Sequence, residues 1–186
     1  MAFIVELAHT TPEVISLATA KKQLQLESDF IEDDTLIQIY IDAAITEAEN
    51  YINSEITEKK FRVDGKSFAD ALTFSKQKIT AIDSVVYTDV DGAEQTIDAA
   101  NYYLDAVDKY ENKIVFKEDY TLPEVKPYTQ NAVKISVTVG YAAGKVPKAM
   151  QKALLLMITN SYEFRTDNVK EKCTVSENTL HKYRRF

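Results

Sequence analysis

The spacing of apolar residues changes twice along this chain, and these changes constrain the fold more than any other feature. Over residues 34–53 apolar side chains recur every three or four positions, as on one face of an α-helix. From about residue 59 to 142 they recur at every second position, as in half-buried β-strands, and beyond Pro147 the helical spacing returns. This order predicts an α+β fold in which helices from the N- and C-terminal parts pack as a small bundle, with a β-rich insert between them.

The first helical region is predicted to span residues 16–53. Ser16 is a good N-cap for a short helix, and Asp33 and Asp34 precede a longer one. Acids at a helix start stabilise it through capping and the helix dipole, which is how we interpret these two aspartates. The apolar stripe of the longer helix comprises Ile37, Tyr40, Ile41, Ala44, Ile45, Ala48, Tyr51 and Ile52.

The insert, residues 59–142, is predicted to contain several strands. Asp91-Gly92 favours a tight hairpin turn between the segments ending at Thr88 and beginning at Thr96. Pro123 and Pro127 break the chain between the last two strands. The predicted strands surround Phe61 and Val63, Leu72 and Phe74, and Val85 and Tyr87, and they cover Tyr102–Leu104, Lys113–Phe116 and Val133–Val139.

A second long helix is predicted over residues 147–165. It is apolar on most sides, so we expect it to be buried between neighbours, within the fold or between subunits. Arg165 follows it, and two interpretations are open: capping of the last carbonyls, or a salt bridge to another subunit. Residues 166–186 are predicted to form a basic tail. We expect residues 1–186 to be one domain, because the flanking helices need one another to bury their apolar faces.

Charge is distributed unevenly along the sequence. Residues 1–60 carry twelve acids and four bases, whereas residues 165–186 carry six bases and three acids. The acidic body argues against non-specific wrapping of nucleic acid, which needs Lys and Arg. Oppositely charged ends suit head-to-tail contact between subunits or docking on an acidic partner. No apolar run approaches the roughly 20 residues of a membrane span, and the start has no signal-peptide pattern.

Motifs for catalysis or metal binding are not evident. His9 and His181 lack a partner at metal-ligand spacing, and Cys173 lies in a polar stretch that offers no scaffold for a catalytic base. The segment 89–92 does not fit a calcium loop, and Gly140-x-x-x-Gly144 lacks the Gly-Lys-Ser/Thr ending of a phosphate loop. We therefore predict no catalytic, cofactor-binding or metal-binding residue.

Several short blocks of sequence follow one another in a distinctive order between about Ile15 and Arg185. The first two are Ile15-Ser16-Leu17-Ala18-x-Ala20-Lys21-x-x-Leu24 and Asp33-Asp34-x-Leu36-Ile37-x-x-Tyr40-Ile41-x-Ala43-Ala44. The middle blocks are Ile82-x-Ser84-Val85-x-Tyr87-x-Asp89-x-Asp91-Gly92 and Tyr102-Tyr103-Leu104. The last are Val137-x-Val139-Gly140-Tyr141, Val146-Pro147-x-Ala149-x-x-x-Ala153-Leu154-Leu155-Leu156, Tyr162-Glu163-x-Arg165 and Leu180-x-x-Tyr183-Arg184. Together these blocks resemble those of phage head–tail connector proteins, the adaptors beneath the portal of tailed double-stranded-DNA phages.

The resemblance implies a structural function without catalysis. Such adaptors add to the portal as a ring, expected to be twelvefold, after genome packaging, and then receive the next neck or tail-completion protein. DNA would pass through the ring without sequence-specific binding. The expected location is the neck of the virion, assembled in the bacterial host cytoplasm, with no cofactor, metal or membrane. The alternatives are another neck or tail-completion protein of the same particle, and a small cytoplasmic enzyme or ligand-binding domain.

The basic and aromatic end of the sequence supplies the candidate interface. We hypothesise that Tyr183, Arg184, Arg185 and Phe186 form a portal-docking or ring-lining tail, because aromatic residues and arginine are favoured as interface anchors. Arg165 is included through its interpretation as a partner in an intersubunit salt bridge. The alternative for the tail is a frayed, solvated terminus.

Overall fold

An antiparallel sheet and a group of helices make up the structure, a computed structural model that describes residues 3–9, 13–72, 79–106, 112–165 and 174–184. The chain divides into two units. The β unit comprises Met1–Thr11 and Thr57–Tyr141, and the helical unit comprises Pro12–Ile56 and Ala142–Phe186. The predicted α+β class is therefore confirmed, and the β unit interrupts the helical unit in sequence as expected.

Each unit is formed by two separate stretches of the chain. The strands are β1 (Phe3–His9), β2 (Lys59–Gly65), β3 (Ile79–Thr88), β4 (Glu94–Thr96), β5 (Tyr102–Ala106), β6 (Asn112–Phe116) and β7 (Val133–Val139). The helices are α1 (Leu17–Gln23), α2 (Asp34–Ile52), α3 (Phe68–Ala71), α4 (Lys148–Glu163) and α5 (Thr174–His181). Five strands form one antiparallel sheet in the order β1-β2-β7-β3-β4, and β5 and β6 form a separate antiparallel pair.

Strand β7 lies at the centre of the sheet, between β2 and β3. Its alternate residues from Val133 to Val139 are fully buried, while Lys134 and Ser136 are only half-buried. The buried face forms a core with Phe61 and Phe68. The predicted strand Val133–Val139 is confirmed, because burial on one face produces the alternation that was visible in the sequence. The predicted hairpin is also confirmed: β3 pairs with β4, and Asp91-Gly92 lies between them.

Two features of the β unit differ from the sequence-based expectation. Strand β1 was not predicted, because Phe3, Ile4 and Val5 are all exposed, and a strand exposed on both faces has no apolar alternation. Leu72 was predicted in a strand but ends α3 instead, with its N–H donating to the Phe68 carbonyl. The other predicted member of that strand, Phe74, lies outside the described residues.

The helical unit buries the predicted stripes. In α2 the fully buried residues lie at helical spacing, and they are Ile37, Ile41, Ala44, Ala48 and Ile52. In α4 they are Met150, Ala153, Leu154 and Ile158. Helix α4 packs against both α2 and α5, which explains why it is apolar on several sides. Pro147 directly precedes α4, whereas the sequence predicted it to be the first residue of this helix.

Helix α5 lies within the segment that was predicted as a basic tail. It packs against α4 and α2, and it buries Leu180, while Tyr183 just beyond its end is also buried. The helix contributes few apolar residues, so the sequence carried no stripe long enough to predict it. No helix in the described part of the chain has the length and apolar character needed to cross a membrane.

Candidate functional site

The start of α2 and the end of α4 are joined by a cluster of three polar side chains. Arg165 Nη2 donates to Asp33 Oδ2 over 2.7 Å, and the Tyr162 hydroxyl donates to the same oxygen over 2.6 Å. Arg165 Nε also donates to the Tyr162 carbonyl over 3.3 Å, and the guanidinium carbon lies 4.5 Å from the centroid of the Tyr162 ring. The predicted contact of Arg165 with a carbonyl at the helix end is therefore confirmed.

The two aspartates at the start of α2 do more than the capping predicted for them. Asp33 occupies the N-cap position of α2, but its side chain forms no capping hydrogen bond, because Tyr162 and Arg165 engage it. Asp34 lies 2.5 Å from Nζ of the buried Lys21 and so ties α2 to α1. The capping interpretation was wrong for the Asp33 side chain, since its partners lie more than a hundred residues away in sequence.

The electrostatics of this cluster do not suit proton transfer. Hydrogen bonds from Tyr162 and then Arg165 lower the pKa of Asp33 below its ordinary value of 3.8. The hydrogen bond that the Tyr162 hydroxyl donates to Asp33 raises the pKa of Tyr162 above its ordinary value of 10.0. Both pKa values move away from neutrality, whereas a general acid or base works best with a pKa near the operating pH. The cluster stabilises the helical unit rather than forming a catalytic pair.

The described members of the proposed C-terminal interface lie just beyond α5. Tyr183 is buried, and its N–H donates to the Leu180 carbonyl over 2.8 Å. Arg184 is exposed, with its guanidinium carbon 5.3 Å from the centroid of the Tyr51 ring. Arg185 and Phe186 lie outside the described residues. The segment up to Arg184 is therefore a packed helix end and not a frayed terminus, and its portal-docking role stays a prediction.

A groove in the helical unit was not predicted from the sequence. It has a volume of about 370 Å³ and lies between α1 and α4. Its lining combines lysines with leucines and consists of Gln23, Lys148, Gln151, Lys152, Leu155 and Leu156. Charge is the signal that could have indicated it, because residues 125–162, which include its lining on α4, contain no Asp or Glu.

Two other surfaces expose large apolar side chains. Ile31, in the loop between α1 and α2, is 69% exposed. Strand β1 exposes Phe3, Ile4 and Leu7, and within the described residues it pairs on one side only, with β2. Exposed apolar groups of this kind are typical of surfaces that contact other proteins.

The polar face of the five-stranded sheet carries charges that are already paired. Arg62 donates two hydrogen bonds to the Asp64 carboxylate, of 2.7 and 3.0 Å. The charged pairs on this face are Lys60–Asp83, Arg62–Asp64 and Lys134–Glu94. A phosphate-binding surface needs cations that are not neutralised by neighbouring acids, so this face does not suit nucleic acid.

Metal and nucleophile chemistry finds no support in the described part of the chain. No group of three or more His, Cys, Asp or Glu side chains there is placed to hold a metal ion. His181 ends α5 and is exposed, and His9 is the last residue of β1. Cys173 lies outside the described residues. Gly140 serves the fold, because a Cβ at this position would overlap the Thr57 carbonyl oxygen.

Comparison with known proteins gives one family and several solved structures. The family model for the phage gp6-like head–tail connector protein matches residues 14–120. No curated protein matches the chain. A chain from the neck of an empty gene transfer agent (GTA) particle, computed with C6 symmetry, is 20% identical with a TM-score of 0.74, over 98% of this chain and 95% of that chain.

Two further structures come from native GTA particles. A chain of the native virion is 18% identical with a TM-score of 0.72, over 97% of this chain and 94% of that chain. A chain of the native neck, computed with C12 symmetry, is 18% identical with a TM-score of 0.69, over 98% of this chain and 94% of that chain. At these identities the similarity shows a shared fold, and the family model covers more than half of the sequence. The chain therefore belongs to the family of phage gp6-like head–tail connector proteins, and its role is structural, in the connection between the head and the tail of a phage-like particle.

Proposed function

We propose that this chain forms a ring that adds to the portal after genome packaging and then receives the next neck or tail-completion protein. The observation that carries the proposal is the match of residues 14–120 to a family of head–tail connectors. Twelve copies per ring is the number we propose, in keeping with the C12 symmetry used for the similar neck of the native GTA particle. A closed ring needs two different surfaces on each subunit, one for each neighbour.

In this proposal the DNA passes through the ring without sequence-specific binding. The formal net charge of −7 repels phosphates, so the wall of the ring would allow passage rather than grip the duplex. The proposed role needs no catalytic step and no cofactor.

We place the portal contact at the end of α5. The buried Leu180 and Tyr183 anchor this helix, which holds Arg184 at a defined place on the helical unit. Arg185 and Phe186, which follow it in sequence, belong to the same proposed contact. Arg165 belongs to the same proposed interface, because its side chain remains 48% exposed while it is paired with Asp33. We further propose that the β unit and the helical unit act as one domain, residues 1–186, in the ring.

The test is co-sedimentation of the purified protein with portal rings from the same particle. We expect the wild-type chain to sediment with the portal, and Arg184→Glu to lose at least about tenfold in affinity because it reverses a charge at the contact. Lys113→Glu is the matched control, since it reverses an exposed charge on β6, in the β unit. Equal affinity of both variants for the portal would show that the end of α5 is not part of the interface. A wild-type chain that does not sediment with the portal would instead favour a tail-completion role.

A further inference from the structure

We propose that the groove between α1 and α4 binds the α1–α2 loop of a second copy of this chain, so that neighbouring subunits join head to tail. The inference rests on the proposed function, since it assigns the contact between neighbours in the ring. The proposed occupant of the groove is the segment from Glu27 to Glu32 of an adjacent subunit.

The groove combines an apolar floor with a basic rim. Leu155 and Leu156 are half-buried in its lining, and Lys148 and Lys152 stand exposed beside them. Within the described residues Lys152 has no acidic partner, and Lys148 Nζ contacts the neutral Gln151 Oε1 at 3.1 Å. Such a site favours a ligand with an apolar side chain flanked by carboxylates.

The α1–α2 loop has this chemistry. Ile31 is 69% exposed, and Glu27, Asp29 and Glu32, which surround it, are also exposed. Backbone hydrogen bonds hold the loop in shape: the Phe30 N–H donates to the Glu27 carbonyl and the Asp34 N–H to the Ile31 carbonyl, each over 3.2 Å. A loop ordered before binding loses less conformational entropy when it docks.

Charge complementarity selects a second copy as the occupant. Residues 23–58, which include the loop, contain no Lys or Arg, whereas residues 125–162, which include the five groove residues on α4, contain no Asp or Glu. The loop therefore carries acids and no bases, and the groove residues on α4 carry bases and no acids. Opposite charges of this kind fix the register of a contact. Repulsion between like charges also disfavours contact between two loops or between two grooves.

The positions of the loop and the groove suit a ring. The loop ends at Asp33, which forms an ion pair with Arg165 just beyond the end of α4. The groove residues on α4 lie between Lys148 and Leu156, within its first nine residues, and the remaining one, Gln23, ends α1. Since α4 has 16 residues, it is about 24 Å long. A contact between two separate surfaces of identical subunits is heterologous, and it closes into a ring when the rotation allows.

Disulfide cross-linking tests the contact directly. In a Cys173→Ser background, the double variant Ile31→Cys with Lys152→Cys is assembled on portal rings, oxidised and run on a non-reducing gel. We expect a ladder of covalent oligomers that extends to the full ring. The matched control pairs Ile31→Cys with Lys113→Cys, an exposed lysine of β6 outside the groove, and we expect it to remain monomeric.

Charge exchange tests the same contact without cysteines. Lys152→Glu should weaken self-association at least about tenfold, because it places like charges together. A subunit that carries both Lys152→Glu and Glu32→Lys should assemble again. Rings that form with no ladder and no effect of Lys152→Glu would overturn the groove contact while leaving the adaptor ring intact. Cross-linking of Lys152→Cys to the portal instead of a neighbour would also overturn it, and absence of any ring on the portal would overturn both proposals.

Discussion

Arg165 Nη2 lies 2.7 Å from Asp33 Oδ2, although the two residues are 132 positions apart in the chain. The contact joins the start of α2 to the residues that follow α4, and the whole β unit except β1 lies between them in sequence. The helical unit is therefore completed only when its two distant halves meet. Ionisation of the Asp33 carboxylate therefore contributes to the stability of the helical unit.

The stability of the protein should fall in acid partly through Asp33. Its pKa is lowered in the folded state below the ordinary value of 3.8, so its stabilising effect is present above that value and is lost as pH falls through the folded-state pKa. Asp33→Asn should lower the free energy of unfolding at pH 7 and flatten its decrease between about pH 5 and pH 2. Urea unfolding at a series of pH values measures both effects.

Glu47→Gln is the matched control for this prediction. Glu47 is an exposed acid on the same helix, and it forms no ion pair within the described residues. Its removal should leave both the stability and the pH slope close to those of the wild type. An Asp33→Asn protein with the wild-type acid slope would contradict the role given to the Asp33–Arg165 pair.

Replacing Gly140 should destabilise the β unit strongly. Gly140 has a φ of +87°, and an added Cβ would overlap the backbone of Thr57, which pairs with Tyr141 across a parallel bridge. We expect Gly140→Ala to cost about 3 kcal/mol or more of unfolding free energy. Gly144→Ala serves as control, because φ is +71° there but nothing lies within 4 Å, and about 1 kcal/mol is expected. Equal losses in urea unfolding would contradict the close approach to Thr57.

Replacing Gln25 with glycine should stabilise the end of α1. Gln25 has a φ of 57°, and the Leu26 N–H donates to the Lys21 carbonyl over 3.0 Å, as in a Schellman motif. Glycine adopts this conformation without the steric cost that a side chain carries, so Gln25→Gly should add about 0.5 kcal/mol to the unfolding free energy. Lys22→Gly, one turn earlier inside α1, should instead remove about 0.5–1 kcal/mol. Loss of stability in both variants, measured by urea unfolding, would argue against the motif.

The two units should unfold together if residues 1–186 form one domain. The chain passes from one unit to the other at residues 11–12, 56–57 and 141–142, so neither unit is a continuous segment. We expect a single transition in urea, with circular dichroism of the helices and fluorescence of the tyrosines changing together. Gly140→Ala, located in the β unit, should shift both signals equally. Separate midpoints for the two signals would contradict the one-domain proposal.

The sequence predicted elements whose cause is local. Strand β7 was predicted with its observed bounds because Val133, Ile135 and Val137 alternate with polar residues, and Ser16 was predicted to cap α1 because its hydroxyl accepts from the nearby Thr19 N–H. The resemblance to head–tail connectors rested in the same way on ordered local blocks, and the family match confirmed it.

Features with distant causes were not predicted. The role of the Asp33 side chain depends on Tyr162 and Arg165, which no local pattern connects to it. Strand β1 depends on pairing with β2, fifty or more residues further along the chain, and its exposed side chains leave no periodic signal. The groove between α1 and α4 likewise exists only after tertiary packing brings Gln23 beside Lys152. Sequence patterns predict which faces are buried but not which distant side chains meet.

The central claim, an adaptor ring on the portal, is tested most directly by cryo-electron microscopy of the purified protein mixed with portal rings. The account predicts a closed ring of twelve subunits stacked coaxially on the portal, with the end of α5 at the contact between them. Particles that show the bare portal, or single subunits scattered over its surface, would contradict it.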